Sequence, residues 1–181
     1  MDLTPVQQKF VLHWGDMGAR WGINRSMGQI HALLMIADRP LDAEEIAETL
    51  SIARSNVSTS LRELRDWGIV ETASMLGERR EHFTAPDDPW EMLRTIMHER
   101  VTRELEPTGQ MLEECLDEAR SSDNDNDHTI KRLESLKDVV DTSSRFANQL
   151  CKLPTTAIRK IAGFGGRLAD LLPGKTSSAS S

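Results

Sequence analysis

The stretch from residue 41 to 68, "LDAEEIAETLSIARSNVSTSLRELRDWG", constrains the fold most, because it holds two short helix patterns with almost nothing between them. Asp42 and Glu45 form an Asp version of the capping box, and Ile46 and Leu50 make an i, i+4 apolar edge. Ser51 and Ile52 leave only a tight turn before the next helix. Two helices joined so closely predict a helix-turn-helix. From Arg54 to Thr59 the second helix reads Arg, Ser, Asn, Val, Ser, Thr. Ser, Thr and Asn are indifferent helix formers, since their side chains compete for nearby backbone groups. Something other than helix stability selects them.

At about 100° per residue, Val57, Leu61 and Leu64 fall on one side, with Ala53 and Trp67 at its margin. Ser55, Thr59 and Arg62 fall on the other, flanked by Asn56 and Ser58. That second face is short and rich in hydrogen-bonding groups. Small hydroxyl and amide side chains can approach base edges or phosphates, Arg can reach guanine or backbone, and a helix N-terminus favours phosphate. Double-stranded DNA is therefore the expected partner. After Gly68, "IVETASMLGERREHFTA" reads as two strands around a turn at Gly77. Ile69 and Val70 begin the first, and His82, Phe83 and Thr84 lie in the second. Arg79 and Arg80 fall near the tip. Glu78 and Glu81 flank them, so a solvated surface hairpin is the alternative. The position directly after the helix favours a wing that meets phosphates or an adjacent minor groove.

Upstream, residues 5–21 predict a helix with Pro5 at its start and Phe10, Trp14, Met17 and Trp21 on one side. Gly15 and Gly18 suit close packing against a partner helix. Trp14 and Trp21 are read first as core or interface packing, with a ligand cage as the alternative. Asn24 caps a second helix whose run from Ala32 to Ala37 is expected to be buried, and Pro40 stops it. His31 within it suggests packing or a hydrogen bond rather than a metal ligand. From Trp90 onward, Leu93, Ile96, Met97, Val101, Leu105, Leu112, Cys115 and Leu116 make a continuous stripe that Pro107 bends or interrupts. A polar loop, "SSDNDNDH", precedes a second stripe of Ile130, Leu133, Leu136, Val140, Ala147 and Leu150. Two such helices outside a compact head predict a dimerisation region. From Cys151 to Lys175 there are five Lys and Arg against one Asp, set among Ile158, Ile161, Phe164, Leu168, Leu171 and Leu172. This is a basic amphipathic segment whose default is docking on the body. The closing "TSSASS" is expected to be disordered.

Several function classes are disfavoured. The net charge of −7 over 181 residues argues against indiscriminate polyanion binding. Residues 1–86 alone hold nine Lys and Arg against twelve Asp and Glu, so DNA contact must come from a local cluster. Cys115 and Cys151 lack neighbours at ligand spacing, so no disulfide framework or zinc site is indicated. They read as reduced thiols, with a redox pair left to geometry. Asp123, Asp125, Asp127 and Glu134 match four positions of an EF-hand loop, yet His128 stands where the turn Gly belongs and Lys131 where a ligand belongs. Gly163, Gly165 and Gly166 have the wrong spacing for a dinucleotide fingerprint, and no strand precedes them. No nucleophile motif, phosphate loop or paired-carboxylate constellation appears, so no catalytic residue, metal ligand or cofactor is assigned. With neither a secretory signal nor an apolar run long enough for a bilayer, the expected location is cytoplasmic, with no membrane partner.

"WGINRSMGQIHALLMIADRPLDAEEIAETLSIARSNVSTSLRELRDWGIV", followed by "GERREHF", resembles the GbsR branch of the MarR-type winged-helix transcription regulators over about residues 5 to 120. "NRS" opens the second helix, "RPL" precedes the third and "ARSNVS" opens the recognition helix. Ala53 replaces the commonly seen Ser, which removes one phosphate contact. The resemblance implies a homodimer with two winged helices on a pseudo-palindromic operator, usually as a repressor. It also implies an effector such as choline or another quaternary amine. A quaternary ammonium needs an aromatic cage. The chain has no Tyr, which leaves Trp14, Trp21 and Trp90 as candidates.

The expected fold class is mainly α with a small β-hairpin wing: a winged helix-turn-helix head plus a helical dimerisation region. Residues 1–23 are assigned to an N-terminal helix contributing to the dimer interface and 24–88 to the DNA-binding domain. Residues 89–152 are assigned to dimerisation and 153–181 to the basic C-terminal segment. Ser55, Asn56, Ser58, Thr59 and Arg62 are expected at the grooves, with Arg54, Arg79 and Arg80 on backbone or minor groove. The alternative is a winged-helix module for protein–protein interaction, without operator-specific DNA binding.

Overall fold

The computed structural model describes residues 1–77, 79–121 and 127–171. Glu78, Asp123, Asp125, Leu172, Lys175 and the closing "TSSASS", all used in the sequence reading, lie outside the described residues. The chain divides into two compact units, Met1–Ile96 and Met97–Ser181.

The first unit opens with α1 (Pro5–Arg20). Thr4 and Gln7 cap it reciprocally: the Gln7 amide donates to Thr4 Oγ1 at 3.3 Å and the Thr4 amide to Gln7 Oε1 at 2.9 Å. Together with Pro5 in the first turn, this satisfies amides that no helix carbonyl can reach. α2 (Arg25–Ile36) begins at Asn24, whose Oδ1 accepts from the Ser26 amide at 2.9 Å. The glycines explain how closely these two helices cross. A Cβ on Gly28 would lie 3.1 Å from Gly15 Cα and 3.3 Å from the Trp14 carbonyl oxygen. The partner expected for the α1 glycines is thus α2.

β1 (Leu41–Asp42) leads into α3 (Ala43–Leu50), which the capping box starts as expected: Asp42 Oδ1 accepts from the Glu44 and Glu45 amides, each at 2.8 Å. Ser51, at φ 54°, turns the chain out of α3 and into α4 (Arg54–Asp66). Ile30, Leu33, Leu41, Ile46, Val57 and Leu64 are almost fully buried in one core beneath the helices. Burying each such side chain is worth about 1.5–3 kcal/mol, so the apolar side of α4 is what ties it to α2 and α3. β2 (Glu71–Ala73) and β3 (His82–Thr84) form the expected hairpin. Gly77 sits in the turn with φ +85°, a conformation glycine adopts without strain. Ile69 and Val70 lie just ahead of β2 as buried core residues. β1 was read only as a helix cap, yet it completes an antiparallel sheet in the order β1-β3-β2, pairing Leu41 with Phe83 and Asp42 with His82. A mainly helical chain with a small antiparallel sheet is the fold class the sequence predicts.

The division between units falls within α5 (Pro89–Arg100). In the second unit a π-helical turn, Val101–Leu105, precedes α6 (Glu106–Ser121). Pro107 supplies no amide hydrogen, so the ladder ahead of it is re-spaced, with the Glu106 amide reaching back to the Val101 carbonyl. This is the form the expected interruption takes. α7 (Asp127–Cys151) runs antiparallel to α6. Lys137 pairs with Glu113 at 2.8 Å and Glu134 with Arg120 at 2.9 Å, while a Cβ on Gly109 would meet Asp141 Oδ1 at 3.3 Å. Glu134, one of the EF-hand-like positions, is thereby engaged by a cation of the protein. Leu112, Leu116 and Ala119 are buried along α6, whereas Leu136, Val139 and Phe146 of α7 are exposed. Cys115 and Cys151 are half-buried and form no disulfide. α8 (Thr155–Leu171) exposes Ile161 and Phe164 rather than packing them. Among the described residues, no helix is long and apolar enough to cross a membrane.

Candidate functional site

The recognition-helix candidate α4 presents Ser55, Ser58, Thr59 and Arg62 as one exposed face, opposite the buried Val57, Ser60, Leu61 and Leu64. Arg62 carries no ion pair among the described residues. Asn56 stands apart from that face. Its Nδ2 donates to Ser26 Oγ at 2.9 Å and its Oδ1 accepts from Ser60 Oγ at 3.3 Å. Ser26 Oγ also donates to Asn24 Oδ1 at 3.0 Å. The "NRS" and "RSNVS" segments thus meet in one hydrogen-bonded chain that fixes α4 against the start of α2. A polar network of this kind, half-buried and satisfied, specifies one arrangement of the helices.

Beside the exposed face, a groove of about 390 Å³ runs between α4, the start of α3 and the hairpin, lined by Arg54, Arg62, Arg65 and Arg80. Asp42, Glu44 and Glu81 line it as well, so its cations exceed its carboxylates by one. Three of its arginines also meet carboxylates: Arg54 pairs with Glu44, Arg65 with Glu81 at 3.6 Å, and Arg80 with Asp42 at 2.8 Å. Arg79 is exposed on the hairpin, whereas the Arg80 side chain folds back onto Asp42 at the head of α3.

Asp42 is the anchor of this corner. Burial works against its charge, but the Glu45 amide, the Arg80 guanidinium and the Glu44 amide outweigh it and hold the carboxyl below its ordinary range. Glu45 is likewise held down, first by its hydrogen bond from Arg39. Asp42, Glu45 and His82 bring metal-ligand types of atom within 4.8 Å of one another. Both carboxylates are already engaged there by Arg80 and Arg39, and His82 Nδ1 lies 3.1 Å from the Arg80 carbonyl oxygen. The arrangement works as an ion-paired brace between hairpin and helix-turn-helix.

A second feature lies within the same unit, on the other side of α4. A largely apolar cavity of about 50 Å³ is lined by Trp14, Trp21, Met27, His31, Trp67 and Ile96, among others. Trp14 stacks at a tilt on Phe10, with centroids 5.4 Å apart, and its ring lies 6.4 Å from that of His31. Trp21 is 55% exposed at the mouth. His31 is 4% exposed, and its Nε2 has no hydrogen-bond partner among the described residues. Burial lowers its pKa to about 4, so the ring is neutral at pH 7. Leaving such a group unsatisfied costs about 1–3 kcal/mol. Of the three tryptophans singled out in the sequence, Trp14 and Trp21 meet here and Trp90 does not line the cavity; Trp67 takes the third place. The sequence reads Trp67 as packing and His31 as packing or a hydrogen bond; neither is read there as lining a cavity.

These features define a class: a helix-turn-helix with an exposed polar recognition face, followed by a hairpin wing with an arginine-lined groove. Residues 21–81 match the sequence model of the MarR family. No curated protein matches the chain in sequence. A solved structure described as "Crystal Structure of a transcriptional regulator" aligns with a TM-score of 0.65 at 19% identity, over 81% of this chain and 96% of that one. The overall fold is therefore shared with that structure.

Proposed function

We propose that the chain is a dimeric, sequence-specific DNA-binding transcriptional regulator of the GbsR branch, acting as a repressor on a pseudo-palindromic operator. The observation that carries this reading is the exposed Ser55, Ser58, Thr59 and Arg62 face beside a groove of arginines. In this role Arg62 and the hydroxyls enter the major groove. Arg54, Arg79 and Arg80 meet phosphates or the neighbouring minor groove, and Asn56 sets the attitude of the helix. Exposed Leu136, Val139 and Phe146 on α7, with Val6 and Leu12 on α1, support a homodimer that covers them. Two recognition helices then address successive major grooves about ten base pairs apart.

The head cavity is the effector site in this reading, with Trp14 and Trp21 retained from the sequence and Trp67 and His31 added. An effector that prefers the non-matching spacing of the recognition helices by a few kcal/mol releases the operator. Choline or another quaternary amine is the effector class the family resemblance suggests.

The test is binding of the purified protein to its own promoter region in competition with unrelated DNA, alongside Arg62→Ala. Preference for the promoter that drops at least tenfold in the variant supports operator reading. Equal, weak binding to both DNAs, or a variant that behaves like the parent, removes it. The net charge of −7 and the carboxylates that occupy three groove arginines would then favour the protein-interaction module.

A further inference from the structure

Leu76 stands fully exposed at the tip of the hairpin, and Met75 beside it is exposed as well. Turn chemistry calls for neither. The turn needs Gly77, whose φ of +85° suits glycine, and a polar residue serves the position before it as well as leucine does. Val6 and Leu12 on α1, and Leu136, Val139 and Phe146 on α7, are exposed too, but they lie along helices, where one packed face can cover several together. A turn at Leu76 and Gly77 is too narrow for that. We infer that Leu76 is an apolar wedge, which enters the minor groove next to the site of α4 and partly unstacks one base step, kinking the duplex. This wedge deepens the operator reading, on which its place along the duplex rests.

Three observations favour DNA as the partner of this tip. The same loop exposes Arg79 three residues on, so the apolar side chain is presented together with a cation suited to phosphate or to a narrow minor groove. A lipid surface would call for a broad apolar face instead. The shape also fits, since a minor groove about 6 Å wide admits a narrow turn but no helix, and leucine and methionine are among the side chains that insert between base steps. Finally, the mount is stiff. β3 is hydrogen-bonded on both sides, to β1 and to β2, and Arg80 at the foot of the loop pairs with Asp42 at 2.8 Å. A side chain that must part stacked bases works only from a base that does not yield. Pyrimidine–purine steps, TA and CA/TG, unstack most easily. Leu76 therefore selects a flexible step at a position where it makes no hydrogen bond.

The test uses the full chain on its own promoter region and on unrelated DNA of equal length. Permanganate oxidation of thymines reports unstacked bases, end-to-end energy transfer reports bending, and affinity is titrated across salt. Every flexible step carries a thymine on at least one strand, so its position need not be known beforehand. The expected result is hyperreactive thymines beside each α4 footprint and a bend of about 20–90°, both lost in Leu76→Ser and both kept in Leu76→Ile. Because Leu76 neutralises no phosphate, Leu76→Ser keeps the salt slope of the parent, whereas Arg79→Ala lowers it by about one. Leu76 supports no core, so Leu76→Ser also keeps the melting temperature of the parent. Promoter preference on straight, unreactive DNA, or reactivity that survives in Leu76→Ser, overturns the wedge and leaves the operator reading standing. Reactivity that is equal on both DNAs and lost in Leu76→Ser supports the wedge and removes the operator reading. No binding to either DNA overturns both. A Leu76→Ser variant that changes the mass in solution and leaves the DNA signals intact assigns the tip to a protein contact and overturns the wedge.

Discussion

Ala53 stands at the N-cap of α4 with no side chain to accept from the first-turn amides. A serine or threonine there typically contributes about 1 kcal/mol. Ala53→Ser is therefore expected to raise the melting temperature by about 2–4 °C, and an unchanged or lower value would mean that the amides are already satisfied. His31 makes the opposite kind of prediction, about pH. Its folded pKa of about 4 lies below the ordinary imidazole value of 6.5, so between these values the unfolded chain binds a proton that the folded chain refuses. The contribution is present in full above pH 6.5 and is lost as pH falls toward 4, amounting to about 3 kcal/mol. Asp42 and Glu45, whose folded values are depressed, begin their own loss as pH falls through the ordinary carboxylate range and complete it below the depressed values. Urea unfolding at pH 7, 5.5 and 4.5 should show the first loss in the parent and little of it in His31→Phe. Equal slopes in the two proteins would contradict the burial argument.

At the scale of elements, the crossing of α1 and α2 depends on backbone meeting backbone. Gly28→Ala sets a methyl 3.1 Å from Gly15 Cα and 3.3 Å from the Trp14 carbonyl, neither of which can turn aside. We expect a loss of about 1–3 kcal/mol. Gly18→Ala, whose nearest neighbour would be 3.8 Å away, should be neutral or stabilising through helix propensity. Denaturation of both variants checks the pair, and equal effects would mean that the crossing is not tight. The helices and the hairpin were legible in the sequence because caps, apolar spacing and the Gly77 turn are local signals. β1 was not, because two residues become a strand only when Phe83 and His82, some forty positions later, pair with them. Asn56 shows a related effect: the helical wheel sets it beside the exposed polar face, while Ser26 draws it inward. Buried Ser60, one turn along on the same side, was the available sign. The wheel could not show Trp67 replacing Trp90 at the cavity either, since membership there depends on how α1, α2 and α4 pack together.

For the whole molecule, an acidic protein that reads DNA must concentrate its positive charge and present it twice. In the proposed reading, exposed Arg62 on α4 and Arg79 on the hairpin serve the first requirement, and a two-fold dimer serves the second. If the exposed side of α7 forms that dimer, Val139→Asp with Phe146→Asp should shift the mass in solution from twice 20.3 kDa to the single chain with helical content retained. A double variant that stays dimeric places the interface elsewhere. The central claim, that paired α4 helices read an operator, is tested most directly by hydroxyl-radical footprinting of the chain's own promoter region at near-physiological salt. The account predicts two protected patches on one face of the duplex, about one helical turn apart, both lost in Arg62→Ala. Uniform protection without position, or patches that persist in the variant, would contradict it.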